Sequence, residues 1–184
     1  TIELRRTVFG LYTIKELTEV ASKTLDIDDL LNAIIEKAMA ATNAQIGSVF
    51  MVEHEKERFR VVTSRGLEPG PEKDTYININ ESLARFVVSE KKALLVQDIE
   101  EDPRIHKPND PKYGSPSFLS MPIFARENLI AVLNLAHKET NKIFDSNDQN
   151  TLSIMIGEIG FALENAQLHS QVEEHLKNLQ ERTA

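Results

Sequence analysis

Ser146-Asn147-Asp148-Gln149-Asn150-Thr151-Leu152 opens a run that continues through Ile156, Ile159, Leu163 and Ala166 to Leu168, Val172, Leu176 and Leu179. Its apolar residues fall three or four apart, with one short step at Leu168, which is the period of a helix. No proline interrupts it before Arg182. Ser146 and Gln149 have the spacing of a capping box, in which each side chain satisfies a backbone N–H of the first turn. About 37 residues at ~1.5 Å each reach ~55 Å, against ~40 Å for a compact body of this chain's size. The helix therefore outruns whatever it packs on, and residues 171–184 are expected to begin a coiled-coil linker.

Upstream of the helix the period drops to two. Phe118 to Phe124 and Leu129 to His137 read as strands joined by Ala125-Arg126-Glu127-Asn128, where Asn128 tolerates a left-handed turn position. Before them lies Asp98 to Pro116, with Pro103, Pro108, Pro111 and Pro116, which leaves no room for a long helix. A loop this long inside a compact domain is usually functional, and here it is expected to act as a lid. Leu94-Leu95-Val96 makes a brief buried strand, and Glu81 to Lys91 a short helix capped by Asn80. Ile46 to Val52 and Phe59 to Ser64 form a first hairpin around His54-Glu55-Lys56-Glu57. Asp26 or Ile27 to Thr42 is a helix with Asp26, Asp28 and Asp29 at its positive end. Residues 1–25 read as a further amphipathic helix, a cover for the sheet or a dimer-forming element, with Leu4, Val8 and Leu11 on one side.

This order predicts an α+β fold. It would hold a mostly antiparallel five- to six-stranded sheet, helices massed on one face, and a pocket between the other face and the loop. The composition, 41% apolar and 27% charged, is that of an ordinary globular protein. The net charge of −8 leaves no lasting basic patch, so nucleic acid is not an expected partner. No apolar run approaches the ~18 residues of a membrane span, so no membrane insertion is expected. The chain has no cysteine, which excludes thiolate chemistry and fits a cytoplasmic setting. It begins without methionine and stops at Thr183-Ala184 while the helical pattern still runs, so a fragment of a longer protein is expected.

Several stretches together resemble the GAF domain, a small-molecule-sensing module of signalling proteins and cyclic-nucleotide phosphodiesterases. Leu30-Leu31-Asn32-Ala33-Ile34-Ile35 followed by Gly47-Ser48-Val49-Phe50-Met51 is similar to the family's first helix and strand. Asp98 with Asp102-Pro103-Arg104 looks like the loop after the third strand. Ser117 to Ile123 and Ile130 to Leu135 resemble the final hairpin, and Phe144 to Asp148 with Ala162 to Leu168 the last helix. The resemblance spans residues 26–170. Lys138, Phe144 and Asp148 match part of the Asn-Lys…Phe…Asp-Glu motif of the cyclic-nucleotide branch, while His137 and Gln149 depart from it. In that motif the Lys–Asp pair holds structure. Asn80-Glu81-Ser82 and Ala131 replace glycines frequent in the family, so the ligand's identity is not inherited.

The resemblance implies a regulatory domain, dimeric and non-enzymatic, that passes ligand state through its last helix. The output would be a histidine kinase, a diguanylate cyclase or a transcription activator. The alternative is a ligand-free dimerisation spacer. A covalent bilin and the thiolate chemistry of the GAF-like methionine sulfoxide reductases both need cysteine, which is absent. Candidate ligand contacts are Phe118, Ser120, Asn134, Arg104, Asp98 and His106. Arg104 would either pair with Asp98 inside the loop or clamp an anion with its planar fork. Phe118 and Ser120 alternate with Leu119 and Met121, so one of those pairs faces the pocket. The dimer seam would use Leu4, Val8, Leu11, Leu168, Val172, Leu176 and Leu179. No two histidines stand three or four apart, as helical metal ligands would, and no metal site is expected.

Overall fold

The computed structural model describes residues 26–139 and 142–183. The expected first helix, with Leu4, Val8 and Leu11, lies outside the described residues. The elements in chain order are α1 (Ile27–Thr42), β1 (Ala44–Glu53), β2 (Arg58–Arg65), β3 (Tyr76–Asn78), α2 (Arg85–Glu90), β4 (Leu94–Val96), β5 (Phe118–Ala125), β6 (Asn128–Lys138) and α3 (Ser146–Thr183). The six strands form one sheet in the order β3-β2-β1-β6-β5-β4, with every neighbouring pair antiparallel. The fold is the expected α+β sheet with a helical layer.

Helix α1 starts where Asp26 accepts a hydrogen bond from the Asp28 amide at 2.8 Å, which satisfies one of the donors a helix start leaves open. It ends where Asn43 turns left-handed, at φ 57°. Its stripe Leu30, Leu31, Ile34, Ile35 and Ala38 is buried on the sheet. Gly47 on β1 permits that close seat, since a Cβ there would stand 2.8 Å from the Met39 sulfur.

The sheet separates two apolar clusters. Under α1 and α3 lie Val49, Val62, Leu119, Met121, Ile123, Leu133 and Leu135, with Leu152, Ile156, Ile159, Leu163 and Ala166 of α3. On the opposite face Phe50, Phe59, Val61 and Val132 pack with Val87 of α2 and with Ile99 and Ile105 of the 98–117 loop. The loop thus contributes apolar side chains to a second, thinner core. Its only helix among the described residues is a single 3-10 turn, Pro111–Tyr113.

Four local expectations are corrected. The cap of α3 sits one residue earlier than Ser146 and Gln149. Asp145 Oδ1 accepts from the Asp148 amide at 3.0 Å, and Asp148 Oδ2 accepts from the Asp145 amide at 3.1 Å. The helix expected over 81–91 is a 3-10 turn at Ile79–Glu81, capped by Asn78 in place of Asn80, followed by the shorter α2. The left-handed residue of the β5–β6 turn is Arg126, φ 56°, and Asn128 already belongs to β6. Strand β3, three residues on the sheet edge, is too short for its alternation to register as a period of two.

Helix α3 carries two apolar stripes. The first, Leu152 to Ala166, is buried. At ~3.6 residues per turn, Ile154, Phe161, Leu168, Val172, Leu176 and Leu179 line up on the opposite side. All six are exposed, Phe161 to 71%. From Leu168 to Thr183 every residue of the helix is exposed, so its final turns project past the sheet.

Candidate functional site

Register brings neutral polar side chains together on the loop-covered face. Ser64 of β2 stands opposite Ser48 of β1, Ser48 opposite Asn134 of β6, and Asn134 opposite Ser120 of β5. Residues opposed across a sheet share a face, so these four form a row across its middle. Leu119 and Met121 belong to the helix-side cluster and Phe118 to the opposite one. Phe118 and Ser120 are therefore the pair that faces the loop. The Ser120 hydroxyl donates to Asn134 Oδ1 at 2.6 Å, and Asn134 Nδ2 donates to Ser48 Oγ at 3.3 Å. Ser120 is buried, whereas Ser48, Ser64 and Asn134 are half-buried and reachable. The row beside them, Ile46, Ala136 and Phe118, is apolar.

Cationic side chains of these strands turn the other way. Arg60 reaches Asp28 of α1 at 3.0 Å and Arg65 reaches Glu36 of α1 at 3.7 Å. Lys138 bonds Asp148 of α3 through both carboxylate oxygens, at 2.7 and 2.6 Å, with the two side chains only 7% and 6% exposed. Its ammonium also stands 5.9 Å over the Phe144 ring. Burying such a pair is expensive unless the hydrogen bonds are complete. Here they fasten the last strand to the first turn of α3.

The loop candidates sit apart from that row. Arg104 does not meet Asp98. Its guanidinium forks onto Asp102, Nε at 2.9 Å and Nη2 at 2.6 Å, and Nη2 also donates to the Leu95 carbonyl on the edge strand β4 at 2.8 Å. That hydrogen bond holds the Asp102 carboxyl below the usual carboxylate range, against a smaller opposing effect of burial. Asp98 shapes the loop instead, accepting from the Glu100 amide at 2.9 Å. His106 is exposed, with a left-handed backbone at φ 45°. Of the six candidate contacts, Phe118, Ser120 and Asn134 share the sheet face, while Arg104, Asp98 and His106 belong to the loop. Ser48 and Ser64 are the partners that sequence reasoning missed. Their alternation with Gly47, Val49 and Thr63 carries the signal, but only register shows that Ser48 meets Asn134 and Ser64 meets Ser48.

One link ties the loop to the segment just before α3, and another ties it to the end of β6. The buried Ser117 hydroxyl donates to the Val96 carbonyl at 2.9 Å and accepts from the Phe144 amide at 3.0 Å, which leads into the helix. Next to Lys138, His137 Nδ1 lies 3.2 Å from the Tyr113 carbonyl. Gly114 passes so close that a Cβ there would stand 1.7 Å from that nitrogen.

The Asp145 cap gives a pH test. Burial opposes its ionisation, but the Asp148 amide and the Lys138 charge outweigh burial and hold its carboxyl below 3.8. A depressed carboxylate contributes stability that is complete above its unfolded value and lost as pH falls through the folded one. Thermal melts should therefore show a loss developing below pH ~4, and Asp145→Asn, which still caps, should reduce it. A variant with an unchanged acid slope would rule this contribution out.

A groove of about 720 Å³ lies elsewhere, between α3 and the β4–β5 side, where Met121, Pro122, Phe124, Ile156, Gly157 and Phe161 line it. The Arg126–Glu164 ion pair borders it. Its polar lining is Lys91, Lys92, Arg126, Gln149, Ser153 and Glu164. The row, by contrast, holds oriented hydrogen-bonding groups on central strands.

An antiparallel sheet with one face under helices and a polar row under a loop defines an α+β module built to cover one sheet face. The chain belongs to the GAF domain family, whose model matches residues 24–164. Among solved structures, it is similar to the GAF domain of an Acinetobacter phosphoenolpyruvate-protein phosphotransferase at 16% identity and TM-score 0.69, covering 88% of this chain and 97% of that one. A methyl-accepting chemotaxis protein, residues 122 to 287, matches at 14% identity and TM-score 0.70, covering 83% and 97%. The free methionine-R-sulfoxide reductase of Neisseria meningitidis, in complex with its substrate, matches at 15% identity and TM-score 0.70, covering 90% and 93%. At these identities the likeness is one of fold.

Proposed function

We propose that this GAF domain is a cytoplasmic, non-enzymatic sensor whose ligand sits on the Ser48–Asn134–Ser120 row beneath the 98–117 loop. Ligand state would pass through Ser117 and His137 to α3, and along α3 to an output domain. Residues 26–170 form the sensor in this scheme, and 171–184 begin a coiled coil to an output domain such as a kinase, a cyclase or a transcription activator. The supporting observation is a half-buried polar row on the sheet face where the loop packs Ile99 and Ile105, with the loop's Ser117 accepting from the Phe144 amide just before α3. Solved neighbours include a chemotaxis protein and a GAF domain/HD domain protein from Geobacter sulfurreducens, in keeping with a regulatory module.

The homodimer is part of the same proposal. The partner that fits the outer stripe of α3 is a second copy, because a stripe running from Ile154 past the body to Leu179 matches itself along its whole length.

Native mass spectrometry of the purified protein, paired with hydrogen exchange, tests the sensor. A bound small molecule is expected, and its removal should raise exchange in the loop 98–117 and at the start of α3, with β6 unchanged. No bound mass, and a loop as protected as β6 in every preparation, would favour the dimerisation spacer.

A further inference from the structure

The hydrogen bonds around Asn134 restrict what the row accepts. A primary amide offers two acceptor lone pairs and two N–H donors. Asn134 lies on β6, between β1 and β5. Ser120 on one flank takes one lone pair, and Ser48 on the other takes one N–H. One lone pair and one N–H therefore remain, side by side on the outer edge of the amide and away from both flanks. Serine hydroxyls donate or accept equally well, so turning the amide over leaves the same two groups free.

Such an edge sets one donor beside one acceptor, in either order. A second amide, a lactam or a ring edge of that kind meets it with two good hydrogen bonds. A carboxylate meets the N–H with one oxygen but sets its other oxygen against Oδ1, two acceptors facing each other. Among the described residues, the strand cations Arg60, Arg65 and Lys138 do not offset that repulsion, being paired with acids of α1 and α3, and Arg104 of the loop is forked onto Asp102. The remaining row members are hydroxyls, and the neighbouring Phe118 and Ala136 are apolar. Leaving one of the two free groups buried and unmatched is more costly than the bond it replaces.

We infer that the row selects an uncharged ligand presenting a donor–acceptor edge of the carboxamide or lactam type, and rejects carboxylates. This rests on the sensor reading and adds the chemical class of its ligand. Benzamide and benzoate are a matched pair of probes, equal in shape and differing in charge and donor. With ¹⁵N-labelled protein at pH 7, benzamide at millimolar concentration should shift the Asn134 side-chain amide and the backbone amides of Ser48 and Ser120. Benzoate should bind at least ~10-fold more weakly in the same titration, a ratio of ~1.4 kcal/mol. Asn134→Leu should abolish the benzamide shifts while the remaining amide spectrum confirms the fold, and Asn134→Asp should abolish them without admitting benzoate. Equal shifts from both probes, larger shifts from benzoate, or none from either would overturn the inference. A charged molecule found by native mass spectrometry would overturn it too and leave the sensor standing. The absence of any bound mass counts against the sensor itself.

Discussion

Asp148→Ala should cost the domain about 3–5 kcal/mol of unfolding free energy. The loss comes from Lys138 more than from the aspartate. The ammonium is 7% exposed and directs its bonds to the two oxygens of Asp148, so truncation leaves a buried charge unpaired. The Asp145 amide also loses its acceptor, and α3 half of its reciprocal cap. Lys138→Met combined with Asp148→Leu removes both charges together and should be much milder than the sum of the single changes, because no orphan remains. Urea denaturation measures both variants, and exchange at 144–152 should show the start of α3 loosening first in Asp148→Ala. A cost below ~1 kcal/mol would mean that the pair does not fasten β6 to α3.

The second large effect concerns association. Leu176→Lys with Leu179→Lys places four cations, two per subunit, into the seam expected between two copies of α3. Each leucine withheld from burial forfeits ~1.5–3 kcal/mol, so the dimer should weaken by at least ~100-fold. The sheet should stay folded, since both positions are exposed beyond the body. Phe161→Lys tests the part of the stripe that lies over the body and should weaken the dimer as well. Sedimentation decides the matter, with circular dichroism as the control. A wild-type protein that remains monomeric at high micromolar concentration would remove the dimer from the proposal.

The elements most legible in the sequence were those whose periodicity coincides with burial. Helix α1, the β1–β2 and β5–β6 hairpins and the inner stripe of α3 each repeat an apolar residue at one period, and each lies where that pattern points. Strand β3 and the 3-10 turn before α2 are too short to carry a period, and their local hydrogen bonds decide them. The cap of α3 was misplaced because Ser146–Gln149 and Asp145–Asp148 have equal spacing, and the position of Lys138 breaks the tie. Asn134 and Ser120 were legible as polar residues in apolar strands. Their pairing with Ser48 was not, because register joins residues 86 positions apart. The outer stripe of α3 was legible only at its distal end. Nearer the sheet, Ile154 and Phe161 resemble core residues until the neighbouring stripe is seen to be the one buried.

The pair of stripes on α3 makes its orientation a shared variable. A stiff helix cannot roll on the sheet without swinging its far side through the same angle, so in the proposed dimer the sheet and a second copy would compete to set one rotation. The projecting turns would then carry a roll at Asp148 undiminished to Leu179, turning the outer stripe through the same angle. Whatever is attached beyond would sense the azimuth of the rod, and a ligand would bias that azimuth by no more than its difference in affinity for two seats.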